Sequence, residues 1–267
     1  MDRKKFTVLD FQKKKDNNEP ITMLTAYDYT MASILEFAGI DAVLVGDSLG
    51  MVVLGYESTV PVTMDEMLHH SKAVKRGISK SFLIGDMPFM SYHVSNEDAV
   101  FNAGRFVKEA GCEAVKVEGG KEIIPRIKAI IDAGIPVLAH IGLTPQSVSK
   151  LGGYKVQGKD AESAAKLIDD AVLLEKAGCF AIVLECVPAQ LAAKITCKLN
   201  VPTISIGAGK ECSGQVLVTN DIIGYFDKFV PKFVKQYVKI HDSILKAVSS
   251  FKEDVESRSF PDEKHSF

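Results

Sequence analysis

The sequence predicts a (β/α)₈ barrel, the TIM-barrel fold in which parallel strands are surrounded by outer helices. Short, almost continuously apolar segments alternate with amphipathic ones, which is typical of a parallel sheet covered by helices. Eight such units in about 250 residues is the usual size of this barrel, and the chain has 267 residues. A doubly wound open sheet is the alternative. It is disfavoured because chemically functional residues end nearly every predicted strand, not only those beside a switch point.

Seven strands are predicted from apolar and β-branched runs. The segments Phe37–Asp47, Glu109–Glu118 and Lys176–Glu185 each read as a helix end, a glycine C-cap, a strand and an acidic residue. The apolar segment Phe229–Phe233 is the candidate for an eighth strand. The seven predicted strands are Ile21–Ala26, Ala42–Gly46, Ser81–Gly85, Ala114–Val117, Pro136–Ala139, Ala181–Leu184 and Thr203–Ile206.

Helices are predicted between the strands from capping residues and from apolar side chains at helical spacing. Segment 95–98 reads as a capping box, segment 63–66 opens another helix, and Asp160 reads as the N-cap of a third. No linker divides these elements. We therefore expect one barrel domain over 1–267, with a short N-terminal extension and a peripheral C-terminal tail at Glu253–Phe267. The apolar stripe of another helix consists of Ile123, Ile124, Ile127, Ile130 and Ile131.

Composition argues against several classes of protein. A net charge of −2 gives no basic surface for nucleic acid or an anionic membrane. No apolar stretch approaches the roughly 20 residues of a membrane helix, and the first residues lack the apolar core of a signal peptide. The five cysteines include no CxxC pair, which favours reduced thiols over a disulfide framework or a zinc site. We expect a cytoplasmic protein without nucleic-acid or membrane partners.

Five predicted strands end in residues that could carry chemistry: Asp47, Asp86, Glu118, His140 and Glu185. The C-terminal ends of the strands of a barrel gather at one rim, so we expect these side chains to converge. Each one alone could be a helix cap or a turn residue. Four acids and a histidine at equivalent positions are hard to explain by capping and favour a functional site.

Crowded carboxylates repel one another unless they are protonated or bridged by a cation. Oxygen ligands without a cluster of Cys or His favour a hard ion such as Mg²⁺. Asp47 and Asp86 each follow a glycine at the end of a strand and are the predicted ligands, while Glu118 could bind directly or through a water. Glu185 is then left to act as a base.

Three other features have two interpretations each. Lys116 shares a strand face with Glu118, so it either pairs with that acid or offers a cation to a substrate carboxylate or developing oxyanion. Ser48 directly follows Asp47 and either caps a short turn or offers its hydroxyl to a ligand. Ile206–Gly209 suits either a phosphate or close packing against bare backbone.

Six motifs, several of them long and unusual, are Gly46–Gly50, Pro61–Thr63, Gly142–Ser147, Gly152–Gly158, Val183–Pro188 and Ile206–Gly209. Together they resemble the ketopantoate hydroxymethyltransferase family, also called 3-methyl-2-oxobutanoate hydroxymethyltransferase. The resemblance runs from about Ile21 to Asp221 and resumes in Glu253–Ser257 and Glu263–Phe267. It implies a (β/α)₈ barrel and a homo-oligomer, commonly a decamer.

The resemblance also implies a reaction. Hydroxymethyl transfer from 5,10-methylenetetrahydrofolate to 3-methyl-2-oxobutanoate, dependent on Mg²⁺ and proceeding through a metal-stabilised enolate, would give 2-dehydropantoate for pantothenate biosynthesis. The implied metal ligands are Asp47 and Asp86 with Glu118 as a third acid, and the implied general base is Glu185. The implied contacts to the 2-oxo acid are Asp47, Ser48, Asp86, Lys116 and His140.

Two other classes of protein fit the sequence less well. A Mg²⁺-dependent lyase of the phosphoenolpyruvate-mutase or isocitrate-lyase kind would need a reactive loop cysteine placed to protonate an enolate, whereas Cys186 adjoins Glu185 at a strand end. A non-catalytic scaffold would have lost Asp47, Asp86 or Glu185, and all three are present.

Overall fold

The computed structural model describes residues 3–226 and 228–267, and its eight strands form a closed barrel in which every neighbouring pair is parallel. The barrel prediction is confirmed, and closure rules out the doubly wound alternative. All seven predicted strands are present with small shifts at their ends. The strands are β1 Ile21–Thr25, β2 Ala42–Val45, β3 Phe82–Asp86, β4 Ala114–Glu118, β5 Val137–Gly142, β6 Ala181–Glu185, β7 Thr203–Ile206 and β8 Gly214–Leu217.

The prediction for the eighth strand is wrong. The segment Phe229–Phe233 is not a strand and is mostly exposed, whereas β8 lies earlier, at Gly214–Leu217. This strand closes the barrel by pairing with both β1 and β7. The sequence pattern does not predict β8, because Gly214 and the exposed Gln215 interrupt its apolar run. A Cβ on Gly214 would lie 2.6 Å from the backbone oxygen of Ile21, so glycine permits this close pairing.

The predicted helix starts are confirmed. Thr63 forms a capping box with Glu66. The side chains of Ser95 and Asp160 each accept a hydrogen bond from the backbone N–H of the residue three positions later. In the described ranges the helices are α1 Val8–Asp16, α2 Tyr29–Ala38, α3 Leu49–Val52, α4 Met64–Gly77, α5 Asn96–Ala110, α6 Ile124–Asp132, α7 Val148–Leu151, α8 Ala161–Lys176, α9 Ala189–Lys198, α10 Thr219–Ile222 and α11 Ile240–Glu256.

Apolar side chains fill the barrel interior and close its N-terminal end. Phe11 of α1 is completely buried, and its ring meets those of Phe6, Phe82 and Phe180 edge to face, with centroids 5.0–5.4 Å apart. Phe82 and Phe180 stand at the starts of β3 and β6, so the N-terminal extension plugs this end of the barrel. The opposite rim, at the strand C-termini, is where a ligand can be bound.

Two compact units are distinguished by their internal contacts. Residues up to Val218 contain all eight strands, and Thr219–Phe267 form the second unit. In the second unit, α11 has no buried residue. A single domain over 1–267 stays a prediction. Among the residues that the structure describes, no helix combines the length and the apolarity needed to cross a membrane.

Candidate active site

The rim of the barrel brings together the charged residues that the sequence singled out. Strand register places Asp86 beside Lys116, Glu118 beside His140, and Gly142 beside Glu185. Five of the six charged side chains are almost completely buried, while the side chain of Glu185 is 14 % exposed. We call the following set the rim cluster: Asp47, Asp86, Lys116, Glu118, His140 and Glu185.

Direct contacts join the first half of the rim cluster. The backbone N–H of Asp47 donates to Oδ2 of Asp86 at 3.1 Å. Lys116 Nζ lies 2.6 Å from Asp86 Oδ1 and 3.4 Å from Glu118 Oε1. The lysine therefore contacts both acids, and the predicted pairing of Lys116 with Glu118 is only part of its role.

His140 connects the second half of the rim cluster. Its Nδ1 lies 3.2 Å from Glu118 Oε1, and its Nε2 lies 3.2 Å from Glu185 Oε2. Both distances are those of ion pairs, although neither nitrogen makes a well-directed hydrogen bond to any described residue. The residue after Glu185, Cys186, has a positive φ of 48°, an uncommon conformation for a non-glycine residue and one often found at functional sites.

Ser48 lies close to the rim cluster, but its side chain is hydrogen-bonded to a residue outside the cluster. It occupies the N-cap position of α3, yet its side chain makes no capping hydrogen bond to the described residues of that helix. Its Oγ instead lies 2.7 Å from the hydroxyl of Tyr27. A Cβ on Gly46 would lie 2.9 Å from Ser48 Oγ and 3.8 Å from Asp86 Oδ2, so this glycine leaves room for both side chains.

The two aspartates are unusually hard to ionise. Burial, together with the charges of Asp86 and Glu118, raises the pKa of Asp47 well above its ordinary value. Burial also raises the pKa of Asp86, although Lys116 opposes that shift. A cation placed between these carboxyl groups would relieve both effects.

The other members of the cluster favour their charged forms. Burial alone would raise the pKa of Glu118, but Lys116 and His140 lower it to about 2. Burial alone would lower the pKa of His140, but Glu118 and Glu185 raise it to about 9. Four carboxyl groups therefore face two cations, and the fully ionised cluster would carry two excess negative charges.

This donor set suits Mg²⁺. Within the described ranges, no three His, Cys, Asp or Glu side chains are already gathered as a complete metal site. Mg²⁺ does not require one, because it commonly binds through one or two carboxylates and completes its shell with waters and substrate oxygens. Asp47 and Asp86 supply two adjacent carboxylates, and their excess charge matches a divalent ion. Both oxygens of Glu118 are engaged by protein groups, which favours contact through a water.

Two residues that the sequence analysis did not single out lie at the centre of the site. The side chains of Tyr92 and Gln146 are buried and hydrogen-bonded to each other at 2.8 Å. Gln146 Nε2 also donates to Asp47 Oδ2 at 2.9 Å. Both residues lie on connections after strands. Neither follows a repeated pattern, so only the motif Gly142–Ser147 gave a signal for Gln146.

A cavity of about 360 Å³ adjoins the cluster at Glu118. Its lining includes Gly119, Gly120, Gly142 and Gly158. Other lining residues have titratable side chains: His93, Glu122, Lys150, Lys166 and Asp170. His93, on the connection after β3, lies at this cavity although the sequence analysis did not single it out.

Known structures share this architecture. A phosphoenolpyruvate phosphomutase from Streptomyces platensis subsp. rosaceus aligns with a TM-score of 0.64 at 14 % identity, over 94 % of this chain and 88 % of that chain. A phosphonopyruvate hydrolase, solved with oxalate and Mg²⁺, aligns with a TM-score of 0.64 at 12 % identity, over 97 % and 93 %. A 2,3-dimethylmalate lyase of the PEP mutase/isocitrate lyase superfamily gives 0.57 at 15 %, over 97 % and 91 %. At these identities the likeness defines the class of fold alone.

Sequence comparison is more specific. The model of the family described as ketopantoate hydroxymethyltransferase matches residues 5–263. Proteins named 3-methyl-2-oxobutanoate hydroxymethyltransferase from Bacillus thuringiensis (strain Al Hakam) and Bacillus cereus (strain AH820) are each 59 % identical over 261 residues. Each match covers 98 % of this chain and 94 % of the relative. The chain belongs to the ketopantoate hydroxymethyltransferase family, a family of enzymes, and the resemblance noted in the sequence is confirmed.

Proposed function

We propose that the protein transfers a hydroxymethyl group from 5,10-methylenetetrahydrofolate to 3-methyl-2-oxobutanoate, giving 2-dehydropantoate for pantothenate biosynthesis. Family membership supports the substrate and the reaction. The observation that carries the proposal is the rim cluster, in which two adjacent aspartates, a lysine, a histidine and a partly accessible glutamate meet at the end of the barrel.

Asp47 and Asp86 would hold Mg²⁺, with Glu118 contributing through a water. When bound, the ion would withdraw electrons from the keto group of the substrate and lower the pKa of its C3 proton. Lys116 and His140, both cationic and buried, would then stabilise negative charge on the carboxylate and the keto oxygen. Ser48 offers its hydroxyl at the start of α3.

Glu185 would act as the base. It is the most accessible acid of the cluster, and His140 fixes its position from 3.2 Å. The C3–H bond breaks, the proton passes to Glu185, and C3 forms a bond to the methylene carbon of the folate. The bonds of that carbon to N5 and N10 of the folate break, and water supplies its new hydroxyl oxygen. The two nitrogens take up one proton from that water and one from Glu185, and tetrahydrofolate leaves. A positioned general base of this kind contributes roughly 10²- to 10⁴-fold to rate.

We place the folate in the cavity beside Glu118. Its volume of about 360 Å³ is within the range of roughly 300–1,000 Å³ usual for small-molecule sites. The ammonium group of Lys150 suits the anionic end of a folate, whereas that of Lys166 is already paired with Asp170 at 2.6 Å.

We also propose a cytoplasmic homo-oligomer. All five cysteines are free, which suits a reducing compartment. Exposed apolar side chains on one stripe of α11, including Val248, Phe251 and Val255, are typical of a surface that another subunit covers. Light scattering during size-exclusion chromatography would give the mass of one chain if the oligomer proposal were wrong.

The direct test is a product assay with purified protein, both substrates and Mg²⁺, repeated with EDTA. We expect 2-dehydropantoate only with the metal, and no product from Glu185→Gln. Formation of product at equal rates with EDTA would refute the metal's role, and absence of product under every condition would refute the reaction.

A further inference from the structure

Gln146 occupies a position between two of the predicted metal acids. It lies in the 3₁₀ turn Pro145–Ser147 after β5, and only 4 % of the residue is exposed. Its side chain contacts Asp47 after β2, and its backbone N–H donates to Glu118 Oε2 at the end of β4 at 3.1 Å. One residue on the connection after β5 therefore contacts acids from two other strands.

The hydrogen bonds fix the orientation of the Gln146 amide. The backbone N–H of Glu118 donates to the hydroxyl of Tyr92 at 3.1 Å, so that oxygen is already an acceptor. The single hydroxyl proton of Tyr92 then points to Gln146 Oε1, the closer of its two acceptors, at 2.8 Å. Because Oε1 faces Tyr92, Nε2 must face the other side.

Both protons of Nε2 are used on that other side. One is donated to Asp47 Oδ2 and the other to the carbonyl oxygen of Met87, each at 2.9 Å. Met87 directly follows Asp86, so the same amide is tied to the chain at both predicted metal-binding aspartates. A flipped amide would set a carbonyl oxygen against the Asp47 carboxylate and the Met87 carbonyl, leaving acceptors facing acceptors.

A purely structural role would need only that the space be filled and the Met87 carbonyl be paired. The contact with Asp47 is different in kind, because this buried carboxyl group is one of the two predicted metal ligands and Gln146 reaches it from the connection after a different strand. A neutral donor on Oδ2 holds the carboxylate in place without neutralising it, unlike Lys116 at Asp86. Such partners of metal-binding groups orient them and tune their affinity.

We propose that Gln146 is a positioning residue that holds the Asp47 and Glu118 carboxylates ready for a divalent cation, and that Tyr92 fixes the orientation of its amide. The inference rests on the proposed function, since it needs a metal at Asp47 and Asp86. It adds two residues and a specific chain of hydrogen bonds, Glu118 to Tyr92 to Gln146 to Asp47, to that site.

The test measures metal affinity without substrate. Mn²⁺ serves as the probe, and its free concentration is followed by electron paramagnetic resonance for wild type, Gln146→Met and Tyr92→Phe. Methionine keeps the volume of glutamine and loses the amide, and phenylalanine keeps the ring and loses the hydroxyl. Gln12→Met on α1, at the opposite end of the barrel, is the matched control. Circular dichroism and thermal melting establish that each variant is folded.

We expect Gln146→Met to weaken Mn²⁺ binding by about 10- to 100-fold, the usual loss for a partner of a metal-binding group. Tyr92→Phe should weaken it less, because the amide survives but can rotate, and Gln12→Met should bind as wild type does. Wild-type affinity in Gln146→Met would overturn the inference, and wild-type affinity in Tyr92→Phe would overturn the part assigned to Tyr92. Absence of Mn²⁺ binding in wild type would instead refute the metal site itself.

Discussion

At the N-terminal end of the barrel the buried acid Asp41 has its own donors, whereas at the C-terminal rim four acids gather around two cations, Lys116 and His140. Asp41 accepts from Lys14 Nζ at 2.6 Å and from the Thr22 backbone N–H at 2.8 Å. At the rim, Lys116 divides its contacts between two carboxylates. The contrast indicates that one end of the barrel is built for stability and the other for binding charge.

The largest expected effect is a loss of activity on substitution of an acid in the rim cluster. Asp47→Asn should lower kcat/KM by roughly 10³-fold, because it removes a proposed metal ligand. It should not lower the free energy of unfolding, because burial and neighbouring acids already disfavour the charge it removes. Steady-state kinetics and urea unfolding measure the two effects.

The matched control lies at the other end. Asp41→Asn should keep activity and lose about 2 kcal/mol of stability, because it leaves the donors of Lys14 and Thr22 without a charged partner. If Asp47→Asn destabilised the protein as much as Asp41→Asn, the contrast between the two ends would fail.

The next effect concerns the phenylalanine cluster around Phe11, which closes the N-terminal end of the barrel. Phe11→Ala should lower the free energy of unfolding by about 3 kcal/mol, because it opens a cavity among three other phenylalanine rings. The value of kcat/KM at 25 °C should stay within twofold of wild type. This change is small compared with the roughly 10³-fold loss expected for Asp47→Asn at the rim. Leu9→Ala on the same helix is the control, since Leu9 is 76 % exposed. A loss of activity in folded Phe11→Ala would show that the two ends are coupled.

The smallest effect depends on pH. Glu36 accepts N–H groups from Lys80 and Ser81 at 2.6 and 3.0 Å. Although burial opposes the shift, these hydrogen bonds lower the pKa of Glu36 from its ordinary value of 4.5 to about 2. A lowered folded-state pKa stabilises the protein above pH 4.5, and this stability is lost as pH falls from 4.5 towards 2.

Because Glu36 is only half-buried and solvent screens its interactions, we expect the contribution to be about 1 kcal/mol. Glu36→Gln should therefore show a shallower loss of stability between pH 4.5 and 2 than wild type, measured by urea unfolding at each pH. Glu57→Gln, which changes an exposed glutamate, should follow the wild-type curve. Parallel curves for wild type and Glu36→Gln would contradict the assigned hydrogen bonds.

The repeating part of the molecule could be predicted from the sequence. Strands that are buried on both faces appear in the sequence as apolar runs. Because parallel strands bring their C-terminal ends together, the sequence also predicted which side chains would meet at the rim: Asp47, Asp86, Glu118, His140 and Glu185. Their chemical roles stay predictions, since geometry places side chains and does not show a reaction.

The parts that could not be predicted depend on close approach or on irregular connections. The strand β8 is short and partly polar, and its glycine is explained only by the neighbouring backbone of Ile21. The paired Gly-Asp motifs also have different causes: Gly46 leaves room within the site, whereas a Cβ on Gly85 would lie 2.3 Å from the ring of Phe106. Tyr92 and Gln146 lie on connections whose path no periodic pattern gives.

The most direct test of the central claim is proton exchange at C3 of 3-methyl-2-oxobutanoate in D₂O, followed by proton NMR with Mg²⁺ and no folate. We predict that wild type removes the C3 proton signal, that EDTA stops the exchange, and that Glu185→Gln binds Mn²⁺ normally but fails to exchange. Exchange by Glu185→Gln at the wild-type rate would contradict the assignment of the base. Failure of wild type to exchange, even with tetrahydrofolate present, would contradict the account of the rim as a site for metal-assisted proton removal.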